Sequence, residues 1–140
     1  MFEKNLPSLP ELLPHLGGMR TKPPRIAIKL KRRIVFIDPA DVVTVEAQGN
    51  YVLLCRTSGS DYLRESLAIV AEKLLPYGFV RIHRSVLINS SFVEEIQPWS
   101  TGEYVLRIKG GKQFNVSRTY KKNLQSLTSL WLGTGGFLPG

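Results

Sequence analysis

The feature that most constrains the fold of this chain is a succession of short apolar runs separated by turn residues. From Arg25 onward these runs alternate in polarity or are rich in β-branched side chains, as in Val42-Val43-Thr44-Val45-Glu46-Ala47. Both properties are typical of strands with at least one buried face. Turn residues such as Gln48-Gly49-Asn50 and Gly110-Gly111 end the runs. The pattern predicts a mostly β domain built from many short strands.

Two segments have helical spacing instead. Between Ser66 and Leu75 the apolar residues recur on one helical face, and Pro76 and Gly78 follow as end signals. A second helix is predicted from Arg118 to about Leu130, with Ser117 as its N-cap. The inward-facing residues of this second helix are expected to be Leu124, Leu127 and Leu130.

The composition divides the chain into three parts. Residues 1–24 hold five of the nine prolines, which indicates a linker or arm. Residues 25–125 carry the strand and helix patterns, and this length suffices for one domain with a modest core. Residues 126–140 are expected to finish the terminal helix and to continue as a flexible apolar tail. The apolar side chains of that tail are Trp131, Leu132, Phe137 and Leu138.

The chain is strongly basic, and the basic residues are concentrated in the domain. Lys and Arg number 19 against 11 Asp and Glu, which gives a net charge of +8. Residues 25–124 alone hold 16 of these cations and 9 of the anions. Such an excess attracts polyanions, and its position favours a shaped binding surface over a basic tail.

Several other classes of protein are disfavoured. The single cysteine, Cys55, excludes a disulfide framework within the chain; it fits a reducing cytoplasm and is expected to be a small buried hydrophobe. A secretory signal is not predicted, and no uncharged apolar run is long enough to span a bilayer. The histidines, His15 and His83, lack the spacing of a metal site. No catalytic or cofactor-binding motif is found, so neither an enzyme nor a cofactor is predicted.

Polar side chains that suit nucleic-acid recognition follow two of the predicted strands. The segments are Ile82–Asn89 and Asn115–Lys122, in which Arg, Asn, His and Ser stand at strand ends. These side chains have the donors and acceptors that contact base edges and phosphates. The aromatic residues Phe36, Phe79, Phe92 and Tyr104 fall on apolar strand faces and are expected in the core. Double-stranded DNA is therefore favoured over single strands, which stack on exposed aromatic rings.

The order and spacing of several pieces resemble the LytTR family of bacterial DNA-binding domains over about residues 25–125. The pieces are Val42–Ala47 with Gly49–Val52, Phe79–Ser85 with Ile88-Asn89, Val93 with Ile96, Tyr104–Leu106 with Gly111, and Val116–Arg118 with Tyr120 and Leu124. The resemblance implies an elongated fold of about ten strands in stacked small sheets. It also implies that loops, rather than a recognition helix, enter successive major grooves of the DNA.

The resemblance places base contacts at three positions, namely the turn with Asn50 or Tyr51, then Arg84, then Arg118. An arginine fork on guanine is worth about 1–3 kcal/mol of discrimination, although either arginine could be a solvated charge or a phosphate contact instead. Asn50 could serve only its own turn, and Tyr51 could belong to the core. The expected phosphate contacts are Ser85, Lys121 and Lys122. His83 is expected to make a structural hydrogen bond that holds the Arg84 loop, with direct DNA contact as its alternative role, and Ser117 is expected to give further support.

The resemblance implies a cytoplasmic transcriptional regulator, or the output domain of a response regulator. Two protomers on two direct-repeat half-sites are expected, governed by a receiver domain or a regulatory protein partner. An alternative of another class is a protein-interaction module that uses the apolar tail, with Trp131 and Phe137 as anchors. On that alternative the basic surface is incidental.

Overall fold

The computed structural model describes residues 24–133, and ten strands within that range form three antiparallel sheets. The strands are β1 Ile26–Lys29, β2 Ile34–Ile37, β3 Val42–Gln48, β4 Tyr51–Arg56, β5 Gly59–Leu63, β6 Phe79–His83, β7 Val86–Asn89, β8 Val93–Pro98, β9 Tyr104–Ile108 and β10 Gln113–Val116. The helix α1 spans Leu67–Leu74, and a terminal 3₁₀ segment spans Arg118–Leu127. Shorter 3₁₀ turns lie at Pro39–Asp41, Leu75–Tyr77, Ser90–Phe92 and Ser100–Gly102. The predicted mostly β fold of small sheets is confirmed.

A central five-stranded sheet has the order β5-β4-β3-β7-β6. The hairpin β1–β2 and the three-stranded sheet β10-β9-β8 are the other two sheets. Because successive side chains of a strand point to opposite faces, the central sheet contributes to two separate cores. Phe79 and Leu87 belong to the first core, with α1 and the β1–β2 hairpin. Val80 and Ile88 belong to the second core, with the three-stranded sheet and the terminal 3₁₀ segment.

The internal helix begins and ends at the residues that the sequence indicates. Ser66 is its N-cap, and the Ser66 hydroxyl accepts a hydrogen bond from the amide of Ile69 at 3.2 Å. The chain leaves the helix through a 3₁₀ turn and Gly78, whose φ of 88° is left-handed. Glycine adopts that conformation without the steric cost that a Cβ would bring.

Asn89 closes the end of β7 with a buried and fully hydrogen-bonded amide. Its Nδ2 donates to the carbonyl oxygens of Val42 (2.8 Å) and Pro39 (3.4 Å). Its Oδ1 accepts from the amide (3.0 Å) and the hydroxyl (2.9 Å) of Ser91. One side chain therefore ties together the turns before β3 and before β8.

The terminal helix is the main correction to the predicted secondary structure. The chain from Arg118 forms 3₁₀ turns rather than an α-helix, and it ends at Leu127 rather than near Leu130. Thr119, Tyr120, Asn123 and Ser126 are all weaker helix formers than alanine, so local propensity contributes little to an α-helix here. Leu124 is buried and Leu127 is half-buried, whereas Leu130 is 76% exposed and does not face inward as predicted.

Three smaller expectations meet different outcomes. Cys55 is half-buried rather than fully buried. The prediction that Phe36 lies in the core is wrong, because its side chain lies on the outer face of the β1–β2 hairpin and is 55% exposed. Residues 1–23 of the predicted arm, and Phe137 and Leu138 of the tail, lie outside the described residues. Within residues 24–133, no helix has the length and apolarity needed to cross a membrane.

Candidate nucleic-acid interface

The turn that carries Asn50 is a two-residue hairpin between β3 and β4. Gln48 pairs with Tyr51 across the hairpin, and Gly49 takes a φ of 61° between them. Gly49 and Asn50 are both exposed, and Tyr51 is 43% exposed, so Tyr51 lies at the surface rather than in the core. The guanidinium of Arg64 lies over the Tyr51 ring at 5.9 Å from its centroid. Arg64 lies in the loop between β5 and α1, and this cation–π contact supports the turn from there.

The turn that carries Arg84 joins β6 to β7, and its backbone is held by side chains. The ring Nδ1 of His83 accepts a hydrogen bond from the amide of Ser85 at 3.1 Å. The carbonyl oxygen of Ser85 accepts from the amide of Ala47 on β3 at 2.9 Å. Arg84 itself is exposed. The turn is therefore fixed while its arginine faces solvent.

Arg81 also holds this turn, although the sequence did not single it out. Its guanidinium donates through Nε to the carbonyl oxygen of His83 (3.2 Å) and through Nη2 to that of Arg84. The same group lies over the ring of Tyr120 at 5.6 Å from the centroid. The side-chain amide of Asn123 donates to the carbonyl oxygen of Arg81 at 2.9 Å. The sequence shows an arginine between two apolar strand residues, Val80 and Ile82, and this was the available signal for Arg81. Both neighbours are buried in the structure.

The third position lies where β10 ends and the terminal 3₁₀ segment begins. The amide of Ser117 donates to the carbonyl oxygen of Ile82 on β6 at 3.2 Å. Ser117 stands at the N-cap position, but its side chain makes no capping hydrogen bond. Arg118 is exposed, and the aliphatic part of its side chain lies against Gly102. Lys121 is half-buried and Lys122 is exposed on the same segment.

Two backbone hydrogen bonds connect the three positions. One joins Ala47 of the strand before Asn50 to Ser85 of the Arg84 turn, and the other joins Ile82 before that turn to Ser117 beside Arg118. The structure thus brings Asn50, Arg84 and Arg118 onto turns that share a continuous backbone network. These two bonds constrain the relative positions of the three turns.

Several cations among residues 24–133 are paired with carboxylates. Ion pairs join Arg56 to Asp61 (3.0 Å), Arg107 to Glu95 (2.8 Å) and Lys112 to Glu46 (3.3 Å). Among residues 24–133, no carboxylate pairs with the cationic groups of Arg84, Lys121 or Lys122. The described part of the chain also has no cluster of His, Cys, Asp and Glu suited to a metal ion. The turns therefore present positive charge and hydrogen-bond donors, which suit a polyanion.

A family model described as the LytTr DNA-binding domain matches residues 32–129, which include all three turns. The chain belongs to the LytTR family of DNA-binding domains. The LytTR domain is also similar in sequence to sensory transduction proteins of bacteria. It is 32% identical over 103 residues to the sensory transduction protein LytT of Bacillus subtilis strain 168, covering 74% of the chain and 43% of that protein. It is 35% identical over 104 residues to LytT of Bacillus cereus, covering 74% and 42%.

The fold of this LytTR domain is shared with a solved structure. A LytTr DNA-binding domain from Bacillus cereus matches with a TM-score of 0.64 and 23% identity, over 75% of this chain and 96% of the solved chain. This likeness concerns the fold alone. The chain spans less than half the length of the two LytT proteins that it matches.

Proposed function

We propose that this LytTR domain is a sequence-specific, double-stranded DNA-binding transcriptional regulator, or the output domain of a response regulator, and that it acts in the cytoplasm. The DNA-binding family supports this proposal, as do the cationic groups of Arg84, Lys121 and Lys122, which pair with no carboxylate among residues 24–133. The names of the relatives, which are sensory transduction proteins, support a place in signalling. Neutralising phosphates would supply much of the affinity and make binding salt-dependent.

The observation that carries the proposal is the backbone network that joins the three turns. In the proposed complex Asn50, Arg84 and Arg118 contact base edges in successive major grooves, with Tyr51 flanking Asn50. Because the turns are fixed before binding, little conformational entropy is lost when they enter the grooves. Ser85, Lys121 and Lys122 would contact phosphates, while His83 and Ser117 hold the turns.

The first test is fluorescence anisotropy with tiled duplexes from the genomic neighbourhood of the gene, at low and near-physiological salt. Random duplex serves as competitor. We expect one tile to survive both competition and salt, and we call it the operator. Uniform binding that collapses with salt would contradict the proposal, because it would show that net charge acts alone.

The Arg84→Ala and Arg118→Ala variants test direct base readout on that operator. Each should lose about 1–3 kcal/mol of preference for operator over random duplex, because a bidentate contact to guanine is lost. Lys73→Ala is a control that removes the same unit charge from an exposed position on α1, beside β1. It should leave the preference unchanged. An Arg84→Ala or Arg118→Ala variant that discriminates as well as wild type would remove that residue from the proposed contacts.

Lys122→Gln tests a phosphate contact, which carries no sequence information. We expect weaker binding to every duplex and a salt slope that is flatter by about one unit, with the operator preference retained. Anisotropy titrations between about 50 and 200 mM salt measure the slope. A lost preference with an unchanged slope would mean that Lys122 contacts bases instead.

We further propose that two protomers occupy two direct-repeat half-sites on one operator, governed by a receiver domain or a regulatory partner. Sedimentation of the chain with duplexes that carry one or both half-sites tests the stoichiometry. We expect one protomer on a single half-site and two on the pair. One protomer on the complete operator would contradict the direct-repeat arrangement.

A second candidate, a protein-interaction module, rests on exposed apolar residues after the 3₁₀ segment. Leu130 is 76% exposed and Leu132 is 89% exposed, with Trp131 between them. A chain that ends at Thr128 separates the two candidates and keeps Leu127, which packs against the second core. A DNA-binding regulator retains its DNA affinity in this truncation, whereas an adaptor loses its partner.

A further inference from the structure

We infer that Arg81 is a positioning residue for DNA recognition, which fixes the Arg84 turn against the segment that carries Arg118. This inference rests on the proposed function, because it assigns Arg81 a role in the accuracy of base contact. Arg81 is half-buried, and its guanidinium is engaged within the protein.

The contacts at the Arg84 turn account for each of its carbonyl groups. The carbonyl oxygens of His83 and Arg84 both accept from the Arg81 guanidinium, and that of Ser85 accepts from Ala47. The amide of Ser85 donates to the His83 ring. With these polar groups satisfied internally, the turn has one strongly favoured backbone arrangement. The exposed side chain of Arg84 then projects from a fixed base.

The same arginine reaches the terminal 3₁₀ segment. Its guanidinium lies over the ring of Tyr120, and its carbonyl oxygen accepts from Asn123. Tyr120 and Asn123 belong to the segment that begins with Arg118. Arg81 therefore contacts the Arg84 turn on one side and the Arg118 segment on the other. A displacement of either element would be transmitted through it.

The geometry also explains why the residue is an arginine. A guanidinium is a planar fork, so it can donate in its plane to two carbonyl groups while its face lies on an aromatic ring. A lysine ammonium has the same charge but no plane and no fork. Arg81→Lys thus preserves the charge that DNA would sense and removes the geometry that holds the turn.

The test compares Arg81→Lys with wild type on the operator and on random duplex. We expect the ratio of operator to random affinity to fall about tenfold, since the coupled network is broken. Affinity for random duplex should stay within about twofold, and its salt slope should not change, because the charge is retained.

Tyr120→Leu, which removes the ring, should lower the ratio of operator to random affinity similarly. Tyr120→Phe is the matched control and should keep it. The double variant Arg81→Lys with Tyr120→Leu should lose less than the sum of the single losses.

Two results would overturn the inference. An Arg81→Lys variant that keeps the wild-type ratio shows that the turn does not need the fork. The second result is an Arg81→Ala variant that loses affinity equally for operator and random duplex and has a flatter salt slope, while Arg81→Lys binds as wild type. It would show that Arg81 contacts a phosphate instead. Circular dichroism confirms that each variant is folded under the binding conditions.

A second measurement does not depend on DNA recognition, so it separates failure of this inference from failure of the proposed function. Amide hydrogen exchange followed by NMR should be faster at Ser85 and Ser117 in Arg81→Lys than in wild type, with Val45 in the first core unchanged. Unchanged exchange at Ser85 and Ser117 overturns the positioning role of Arg81, whatever the chain binds. Faster exchange in Arg81→Lys, together with no operator preference in the wild-type chain, supports the positioning role of Arg81 and rejects the proposed function.

Discussion

Asn89 is a buried amide whose four hydrogen bonds link the turns on either side of it, so its removal leaves several polar groups without partners. In Asn89→Ala the carbonyl group of Val42 loses its side-chain donor at 2.8 Å, and Ser91 loses its acceptor. We expect the free energy of unfolding to fall by about 1–3 kcal/mol, measured by urea denaturation. Ser91→Ala is the control, because Ser91 is exposed and should cost at most about 0.5 kcal/mol. An Asn89→Ala variant with the free energy of unfolding of the wild type would show that the Asn89 network contributes little.

At the residue scale, the sequence identified the exposed side chains of the candidate site more completely than the side chains that hold the turns in place. Asn50 and Arg84 stand in turns that are marked by local residue types, so their exposure followed from short-range pattern. Arg81 was missed because its role depends on Tyr120, a residue distant in the sequence that only the folded chain brings beside it. Base contact by Asn50, Tyr51, Arg84 and Arg118 stays a prediction.

At the scale of elements, the terminal 3₁₀ segment is stabilised by burial rather than by helical propensity. Leu124 is fully buried in the second core, whereas Leu130 beyond the segment is 76% exposed. We expect Leu124→Ala to lower the free energy of unfolding by about 2–5 kcal/mol through lost contacts and a cavity. Leu130→Ala removes the same atoms from an exposed site and should change it by less than about 0.5 kcal/mol. Urea unfolding of both variants measures the difference, and similar losses would mean that the segment does not anchor the core.

The same segment shows where pattern-based assignment of elements fails. Leucines at 124, 127 and 130 have spacing that suits either an α-helix or a 3₁₀ helix, so the pattern cannot separate the two. Leu124 and Leu127 pack in the second core, whereas Leu130 lies outside that core and is exposed. By contrast, α1 was predicted closely because Ser66, Pro76 and Gly78 mark its ends with local chemistry.

The pairing of β8 with β9 includes a charge pair that makes a pH-dependent contribution. Arg107, and then Gln97, hydrogen-bond to the carboxylate of Glu95 and lower its pKa from the ordinary 4.5. Because the folded-state pKa is the lower one, the pair stabilises the fold above the unfolded-state pKa. This contribution is lost as the pH falls through the folded-state pKa. Both side chains are exposed, so the effect on stability should be small.

In Arg107→Gln the pKa of Glu95 should rise toward 4.5, because the largest cause of its lowering is removed. NMR titration of the Glu95 carboxyl carbon measures this change. Lys109→Gln is a suitable control, since Lys109 lies over the Phe92 ring and is not among the causes of the shift. A Glu95 pKa that stays at its wild-type value in Arg107→Gln would show that the ion pair is absent in solution.

At the scale of the whole molecule, the candidate site depends on strand order more than on any single strand. The central sheet places β7 beside β3, although three strands and α1 separate them in the chain. That neighbour relation brings the Arg84 turn against the strand that leads to Asn50, through the bond from Ala47 to Ser85. Local periodicity predicts where strands lie but not which strands pair at long range. The family resemblance implied stacked small sheets but not this pairing, which the structure supplies.

The distribution of charge over the molecule gives a final prediction about the arm. Residues 1–23 contain Lys4, Arg20 and Lys22 against Glu3 and Glu11, so they contribute one net positive charge of the total of +8. If the domain surface attracts DNA, a chain that lacks residues 1–23 should keep its operator affinity within about twofold and its salt slope within about one unit. A variant with Lys121→Gln and Lys122→Gln is the comparison. It keeps the arm but removes two charges beside Arg118, and its slope should flatten by about two units. Anisotropy titrations in increasing salt distinguish the two chains. A steep loss in the truncated chain and little change in the double variant would assign the attraction to the arm, and the shaped surface would no longer explain the binding.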